Sequence, residues 1–212
     1  MLLSFDNVFV SRNGFPLFMP ISCSIPAGTT ITFRGVSGLG KTTLFNALIQ
    51  WSEDVTLHGK IRLNGRGIDK ATRLRKLSQT VFQEPVLFPH LSIGANVALP
   101  LGHLNRSEQR ERVRTLLSKV GLADRVDDDP MALSRGQMMR VSIARALAPN
   151  PRILLMDEPF SALDPKTRCE VKALLFDTIK ECDTYGLLVT HSDDDQPKDG
   201  EVICLMPPSQ DC

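Results

Sequence analysis

The chain has 212 residues, of which 42% are hydrophobic and 23% charged, a composition typical of a folded globular protein and not of a disordered one. The 25 Lys and Arg residues nearly balance the 24 Asp and Glu residues, which gives no support for a protein that coats nucleic acid or binds membranes through a basic surface. The five cysteines include no Cys-x-x-Cys pair, which disfavours a disulfide framework or a zinc site and favours a reducing compartment. No apolar run reaches the roughly 20 residues of a membrane helix, and Asp6 interrupts the amino terminus where a signal peptide would stay apolar. We therefore expect a soluble protein that reaches a membrane only through a partner.

The first part of the chain is predicted to form short strands. Residues 2–10 are rich in Val, Leu and Phe, and residues 29–34 alternate as strands do. Residues 58–65 have the pattern of another strand between glycines. The Gly and Pro residues that separate these runs favour turns, so we expect antiparallel pairing.

From about residue 85 to residue 145 the pattern becomes helical. Asn105 followed by Glu108 predicts the start of a helix, because the Asn side chain accepts from the exposed amide near Glu108. Gly121 is suited to end this helix. One helical face carries the apolar residues Val113, Leu116, Leu117 and Val120.

The last third of the chain predicts buried parallel strands. Residues 153–156 are all apolar, as expected for a strand that is covered on both faces. Residues 186–190 and 202–206 are predicted as further strands, and Asp164 followed by Pro165 predicts a helix start. The predicted fold class is α/β, with an early β layer and a helical insert in the middle.

Residues 35–42 read Gly-Val-Ser-Gly-Leu-Gly-Lys-Thr, the G-x-x-x-x-G-K-[ST] pattern of a phosphate-binding loop. Its glycines let backbone N–H groups curl around phosphate oxygens, and a helix predicted from Thr42 to about Gln50 points its positive end at the same anion. Lys41 supplies a charge for the β- and γ-phosphates, and the Thr42 hydroxyl suits Mg²⁺. A dinucleotide-binding loop is disfavoured by the order of the glycines. The alternative is a Gly-rich turn without a ligand, but the strand before and the helix after favour binding of a nucleoside triphosphate.

Two acids follow the apolar strand at 153–156. Asp157 at the end of a buried strand beside a phosphate-binding loop is suited to hold Mg²⁺. Glu158 is suited to polarise an attacking water as a general base. The alternative is a pair of solvated acids at a strand end.

Further motifs occur in the order that is found in the ATP-binding cassette (ABC) ATPases, and the chain resembles that family over nearly its whole length. A small nucleoside kinase, the main rival with a phosphate-binding loop, would share only the first motif. The other matching segments are Val-Phe-Gln-Glu-Pro at 81–85 (the Q-loop), Leu-Ser-Arg-Gly-Gln at 133–137 (the signature), Ser-Ala-Leu-Asp at 161–164 (the D-loop) and Thr190-His191 (the switch histidine).

The resemblance implies a P-loop NTPase fold with an antiparallel β subdomain and a helical subdomain that carries the signature. It implies a single ABC ATPase domain over residues 1–212. Residues 1–84 and 146–212 would form the P-loop core with the β subdomain, and residues 85–145 the helical subdomain.

The resemblance also implies a role for each matching residue. Glu158 would activate water, His191 would contact the γ-phosphate and the water, and Gln83 would assist catalysis. The Mg²⁺ ligands would be Thr42, Gln83 and Asp157. The residues that bind ATP would be Gly35, Ser37, Gly38, Gly40, Lys41, Thr42 and Thr43, together with Ser134, Gly136 and Gln137 of the other copy in a head-to-tail dimer. Taken alone, Gln83 could be a loop amide and His191 a surface histidine.

The sequence departs from the family pattern in two places that bear on the site. Arg135 replaces the first glycine of the signature, where it would pair with phosphate, with an acid across the dimer interface, or lie in solvent. The aromatic residue that stacks on adenine in the family is replaced by the stretch from Ser11 to Gly14, in which Arg12 could stack on a base. The sequence therefore does not assign the adenine-stacking residue.

The sequence is interpreted as the ATPase subunit of an ABC transporter, with import favoured because a lone cassette is typical of bacterial importers. The expected cofactors are ATP and Mg²⁺, and the expected partners are a separate transmembrane permease and a second copy of the chain, with no nucleic acid. Residues 85–104 resemble the surface that grips a permease helix, or are core of the helical insert.

The resemblance implies a cytoplasmic location, on the inner face of the membrane through the permease. Since the chain stops soon after His191, we expect no appended regulatory domain. The alternative function is that of a nucleotide-gated regulatory or assembly protein with little hydrolysis, which the presence of Glu158 and His191 disfavours.

Overall fold

The computed structural model describes residues 1–36, 38–49, 54–68 and 71–208. In this part of the chain the strands are β1 (Leu2–Arg12), β2 (Phe15–Pro16), β3 (Ile21–Pro26), β4 (Thr30–Arg34), β5 (Val55–Leu63), β6 (Arg66–Gly67), β7 (Ser78–Val81), β8 (Ile153–Asp157), β9 (Tyr185–Val189) and β10 (Val202–Cys204). The α-helices are α1 (Lys41–Leu48), α2 (Ala71–Leu77), α3 (Ile93–Ala98), α4 (Arg106–Lys119), α5 (Arg135–Leu147) and α6 (Pro165–Glu181).

The early strands form an antiparallel sheet that is centred on β1. β1 pairs with β2, β3 and β5, and β5 pairs in turn with β6. Short turns join β1 to β2 and β5 to β6, as antiparallel pairing allows, whereas β1 and β5 are far apart in the sequence. The predicted antiparallel β layer is therefore confirmed.

The second sheet is parallel and has the strand order β10-β4-β9-β8-β7. Side chains of β8 alternate between its two faces. Leu154 and Met156 pack with α5 and α6 on one face, whereas Ile153 and Leu155 pack with β1 and α1 on the other. The prediction of a strand covered on both faces is confirmed for residues 153–156.

The parallel sheet gathers four loops at one edge. The loops that follow β4, β7, β8 and β9 all leave the sheet at its carboxyl edge, since the strands are parallel. The phosphate-binding loop follows β4, Gln83 follows β7, Asp157 and Glu158 lie at the end of β8, and His191 follows β9. Topology alone therefore brings residues that are far apart in the sequence to one side of the molecule.

Side-chain caps begin the helices α4 and α6. Asn105 caps α4 in a capping box with Glu108: its side chain accepts from the Glu108 backbone N–H at 3.0 Å, and the Glu108 carboxylate accepts from the Asn105 backbone N–H at 3.1 Å. Asp164 caps α6 by accepting from the Thr167 backbone N–H at 3.1 Å. Both predicted helix starts are confirmed.

Other predicted boundaries differ by a few residues. The strand predicted at 58–65 spans Val55–Leu63, and the one predicted at 202–206 ends at Cys204. The helix after the phosphate loop begins at Lys41 and ends at Leu48, and Gln50 lies outside the described residues. α2 and β2 are not predicted from the sequence; both are short, and Arg75 and Lys76 interrupt the apolar pattern of α2. The division between residues 85–145 and the rest of the chain stays a prediction.

Candidate functional site

The phosphate-binding loop needs glycine at two positions for different reasons. Gly38 and Gly40 have φ of 83° and 98°, in the left-handed region that side chains disfavour. At Gly40, which caps α1, a Cβ atom would also lie 2.8 Å from Cδ1 of Leu17. Among the described residues nothing lies within 4 Å of a Cβ atom added at Gly38, so only the backbone conformation calls for glycine there. Ser37, predicted to bind phosphate, lies outside the described residues, and Thr43 is half-buried in α1.

Lys41 holds its ammonium group inside this loop. The residue is only 7% exposed, and Nζ donates to the carbonyl oxygens of Gly35 at 2.7 Å and Val36 at 3.1 Å. A charged donor fixed against the loop backbone is placed to meet an anion that the loop surrounds. The role of Lys41 in binding phosphate stays a prediction.

Thr42 and Asp157 meet across the sheet edge. The Thr42 hydroxyl donates to Oδ1 of Asp157 at 3.2 Å, although the two residues are 115 positions apart. Burial raises the pKa of Asp157, the negative charge of Glu158 raises it further, and the Thr42 hydrogen bond and Lys41 oppose the rise. A hydroxyl and a partly buried carboxylate side by side are hard oxygen donors of the kind Mg²⁺ prefers. Gln83 is exposed in the loop after the neighbouring strand β7, at the same edge.

Glu158 and His191 form a second pair at the same edge. Oε2 of Glu158 lies 3.1 Å from Nδ1 of His191, with side-chain exposures of 23% and 59%. The Glu158 backbone N–H donates to the Val189 carbonyl at 2.9 Å, and its φ of 46° turns the chain sharply after β8. When Nδ1 carries the proton shared with Glu158, Nε2 of His191 is left for a further partner. The ends of β8 and β9 thereby bring the predicted base and the predicted switch histidine into contact.

The signature residues start α5 and cap it locally. The Ser134 hydroxyl accepts from the Gln137 backbone N–H at 3.3 Å, and the Gln137 side chain accepts from the Ser134 backbone N–H at 3.0 Å. This capping box was not predicted, although the Ser-x-x-Gln spacing is its usual signal. Within this chain, therefore, Ser134 and Gln137 hold the helix start whose positive end is suited to an anion.

Arg135 is paired with an acid of its own chain. Its Nη2 lies 2.6 Å from Oε1 of Glu84, the residue that follows Gln83, and the two side chains are 54% and 74% exposed. Of the expected partners, the acid is present, but it lies in the same chain and not across an interface. An exposed pair of this kind contributes about 0–1 kcal/mol, so its effect is to connect the signature with the Q-loop more than to stabilise the fold.

Gly136 packs tightly on the first turn of α6. It is buried, and a Cβ atom at this position would lie 2.2 Å from Cγ2 of Thr167. The Gly136→Ala substitution is therefore expected to lower the free energy of unfolding by about 1–3 kcal/mol, as overpacking commonly does. Urea denaturation of the purified variant measures this change.

Two further variants test this contact. The Thr167→Ala substitution removes Cγ2 and is expected to recover much of the stability that Gly136→Ala loses. The control is Gly102→Ala, since Gly102 has φ of −57° and nothing within 4 Å of an added Cβ atom. An equal loss in Gly136→Ala and Gly102→Ala would contradict the packing argument.

Taken together, a parallel sheet with a glycine-rich phosphate loop, a buried Lys and an Asp at its carboxyl edge defines the class of P-loop nucleotide-binding proteins. The family model for ABC transporters matches residues 18–161, and the chain belongs to this family. None of the helices in the described part of the chain is long and apolar enough to cross a membrane.

Two similar proteins are bacterial import ATP-binding proteins. The chain is 40% identical to the spermidine/putrescine import ATP-binding protein PotA of Pseudomonas aeruginosa over 206 residues, which cover 96% of the chain and 54% of the relative. It is 34% identical to the Fe(3+) ions import ATP-binding protein FbpC of Haemophilus influenzae over 97% of the chain and 60% of the relative. It thus spans little more than half the length of these relatives.

A solved structure of cbiO1 from Clostridium perfringens, part of the ABC transporter complex cbiONQ, matches with a TM-score of 0.84 and 28% identity. The match covers 96% of this chain and 84% of that one. The expected ABC ATPase fold is confirmed.

Proposed function

We propose that the chain binds and hydrolyses ATP and thereby powers a membrane transporter, through ATP-driven pairing of two copies. The observation that carries the proposal is the contact between Glu158 and His191 at 3.1 Å, on the sheet edge where Thr42 meets Asp157. A candidate base, a candidate switch residue and a candidate metal site are thus held by neighbouring strands. The names of the relatives, which are import ATP-binding proteins, support import as the direction of transport.

In this proposal the loop from Gly35 to Thr43 holds the phosphates of ATP, with Lys41 as the charged donor. Thr42, Asp157 and Gln83 would hold Mg²⁺, which when bound neutralises phosphate charge. The residues fit this ion, because the Thr42 hydroxyl and the Asp157 carboxylate lie 3.2 Å apart and are hard oxygen donors of the kind that Mg²⁺ prefers.

Glu158 would act as the general base. Its Oε2 is held by His191, which leaves the second carboxylate oxygen to accept a proton from the attacking water. Nε2 of His191 would then face the γ-phosphate. In this arrangement His191 would hold Glu158 in position and would also lie next to the γ-phosphate. A hydrogen-bonded partner is a common way to fix a catalytic carboxylate.

The second copy and the permease are proposed partners. The start of α5, with Ser134 and Gly136, would complete the nucleotide site of the other copy in a head-to-tail pair. Each copy would act on the cytoplasmic face of the membrane, held there by the permease.

Exposed apolar side chains support a docking surface for the permease within residues 85–104. Ile93 and Val97 are buried in the helical core, whereas Phe88 and Leu99 are 42% and 48% exposed. Some residues of this segment therefore belong to the core of the helical insert, and others are exposed and available to a partner. Arg145 steadies Phe88 by lying over its ring at 5.8 Å from the centroid. We propose that the exposed members contact the permease.

Phosphate release from ATP by the purified chain tests the proposal. We expect steady hydrolysis with Mg²⁺ and loss of hydrolysis when EDTA removes the ion, since a cation is needed to neutralise the charge of the phosphates. Equilibrium binding of ATP, measured by calorimetry, runs in parallel. Binding without hydrolysis, in a sample that also pairs on adding ATP, would favour the nucleotide-gated regulatory function instead. Absence of binding would exclude both functions.

A further inference from the structure

A buried acid lies four residues after His191 and has a partner on each of its oxygens. Asp195 is 1% exposed, at the end of the short turn Asp193–Asp195. Its Oδ1 accepts from two nitrogens of Arg168, Nε at 2.7 Å and Nη2 at 2.6 Å. Its Oδ2 accepts from the Thr190 hydroxyl at 2.8 Å. A buried carboxylate with a partner on each oxygen holds those partners, here Arg168 and Thr190, in one geometry.

The hydroxyl of Thr190 extends this network to both sides of His191. Thr190 is 1% exposed, and its Oγ1 donates to Asp195 and accepts from the Ser192 backbone N–H at 3.1 Å. The residues immediately before and after His191 are therefore both fixed by one hydroxyl. The His191 side chain is 59% exposed and lies 3.1 Å from Glu158. The backbone that carries it is held by Thr190 and not by the ring itself.

The other end of the network is anchored in α6. Arg168 lies in the first turn of this helix, directly after Thr167, whose methyl group packs on Gly136 of the signature. Lys172, one turn further along α6, donates to the Asp194 backbone carbonyl. Arg34 at the end of β4 pairs with Asp193. The turn after His191 is thus tied to a helix and to a strand of the parallel sheet.

We infer that Asp195 and Thr190 are positioning residues that hold His191 against Glu158, with Arg168 as their anchor on α6. The inference rests on the proposed function, because it assigns His191 a part in ATP hydrolysis. A purely structural role would stabilise the packing of α6 on β9 without affecting the His191 ring. The two roles differ in what they predict for the ring and for the rate constant of hydrolysis.

The Thr190→Val substitution keeps the shape of the side chain and removes its hydroxyl. We expect kcat for ATP hydrolysis to fall about 10- to 100-fold, because a misplaced catalytic group loses about this much, whereas the KM for ATP stays close to the wild-type value. Thr190→Ser restores the hydroxyl and is expected to recover most of kcat. The control is Thr178→Val, since Thr178 is also buried and donates to the Leu174 carbonyl at 2.7 Å, away from the site.

Nuclear magnetic resonance of the histidine rings gives a readout that does not need activity. The chain has four histidines, so the signal of His191 can be assigned by its loss in His191→Gln. Thr190→Val is expected to shift this signal and leave the other three in place, whereas Thr178→Val shifts none. Should Thr190→Val fail to fold, Arg168→Lys tests the same anchor, because Lys keeps the charge and loses the two-point contact with Asp195.

Two results would overturn the inference. One is a folded Thr190→Val protein with wild-type kcat, and the other is an unmoved His191 signal in both Thr190→Val and Arg168→Lys. A wild-type chain that hydrolyses no ATP would instead contradict the proposed function, and the ring signals would still decide whether the network positions His191.

Discussion

Replacing Glu158 by Gln is expected to lower the rate of ATP hydrolysis by about 10²–10⁴-fold, the usual contribution of a general base. The amide keeps the size of the side chain and an oxygen that can accept from Nδ1 of His191, so the neighbouring geometry is preserved. ATP binding should persist, because the phosphate contacts are assigned to the loop and Lys41. Phosphate release and calorimetric titration, run on the same sample, measure the two quantities separately.

The same substitution should favour the ATP-bound pair of chains. Loss of the carboxylate charge removes its repulsion with the γ-phosphate at short range, and slow hydrolysis preserves the ATP. Light scattering after size exclusion should then detect more dimer with ATP and Mg²⁺ than for the wild type, and monomer with ADP.

Glu181→Gln is the matched control for the effect on the rate. Glu181 ends α6 at the opposite edge of the sheet and pairs with Lys119 at 2.7 Å, and the substitution makes the same chemical change. It should leave hydrolysis unchanged. A wild-type rate in Glu158→Gln would show that another residue is the base, with His191 the first candidate.

The Lys41→Ala substitution is expected to weaken ATP binding by about 10- to 100-fold, which corresponds to the roughly 1.5–3 kcal/mol of a hydrogen bond to a charged group. Its ammonium is buried and held by the carbonyls of Gly35 and Val36, so nothing else in the loop supplies the same charge at that point. Calorimetry with ATP measures the dissociation constant.

Lys119→Ala removes a charge of the same kind from the far edge of the molecule and should bind ATP as the wild type does. Thermal unfolding of both variants separates a loss of binding from a loss of fold. Equal affinity for ATP in Lys41→Ala and the wild type would contradict the assignment of the phosphate-binding loop.

Features determined by neighbouring residues were predictable from the sequence. The caps at Asn105 and Asp164 depend on a side chain and an amide a few residues apart, so a short pattern contains the whole interaction. The same is true of the buried strand at 153–156, whose apolar run reflects cover on both faces. The phosphate-binding loop was predictable for the same reason, because its glycines and Lys41 all lie within residues 35–42.

Features determined by distant residues were not predictable in this way. The partner of Arg135 is Glu84, 51 positions away, and no local pattern distinguishes it from the other acids. Asp195 was missed because three successive acids after His191 look like a solvated turn, whereas burial against Arg168 makes one of them structural. The apolar strand before Glu158 indicated the base, and the resemblance to a family indicated His191, but their direct contact followed only from the strand order.

At position 158 the left-handed backbone and the proposed catalytic role favour different residues. In the described chain, the other residues with positive φ that are not glycine are all Asn or Asp, which tolerate this conformation through their short polar side chains. A longer side chain held there stores strain of about 1–3 kcal/mol. Selection for thermal stability alone would therefore favour Gly, Asn or Asp at position 158; Gly and Asn remove the carboxylate, and Asp draws it back by one methylene group. A stabilised version of this protein should accordingly gain its stability elsewhere, because each residue that relieves strain at the end of β8 removes the carboxylate or shortens the side chain that presents it.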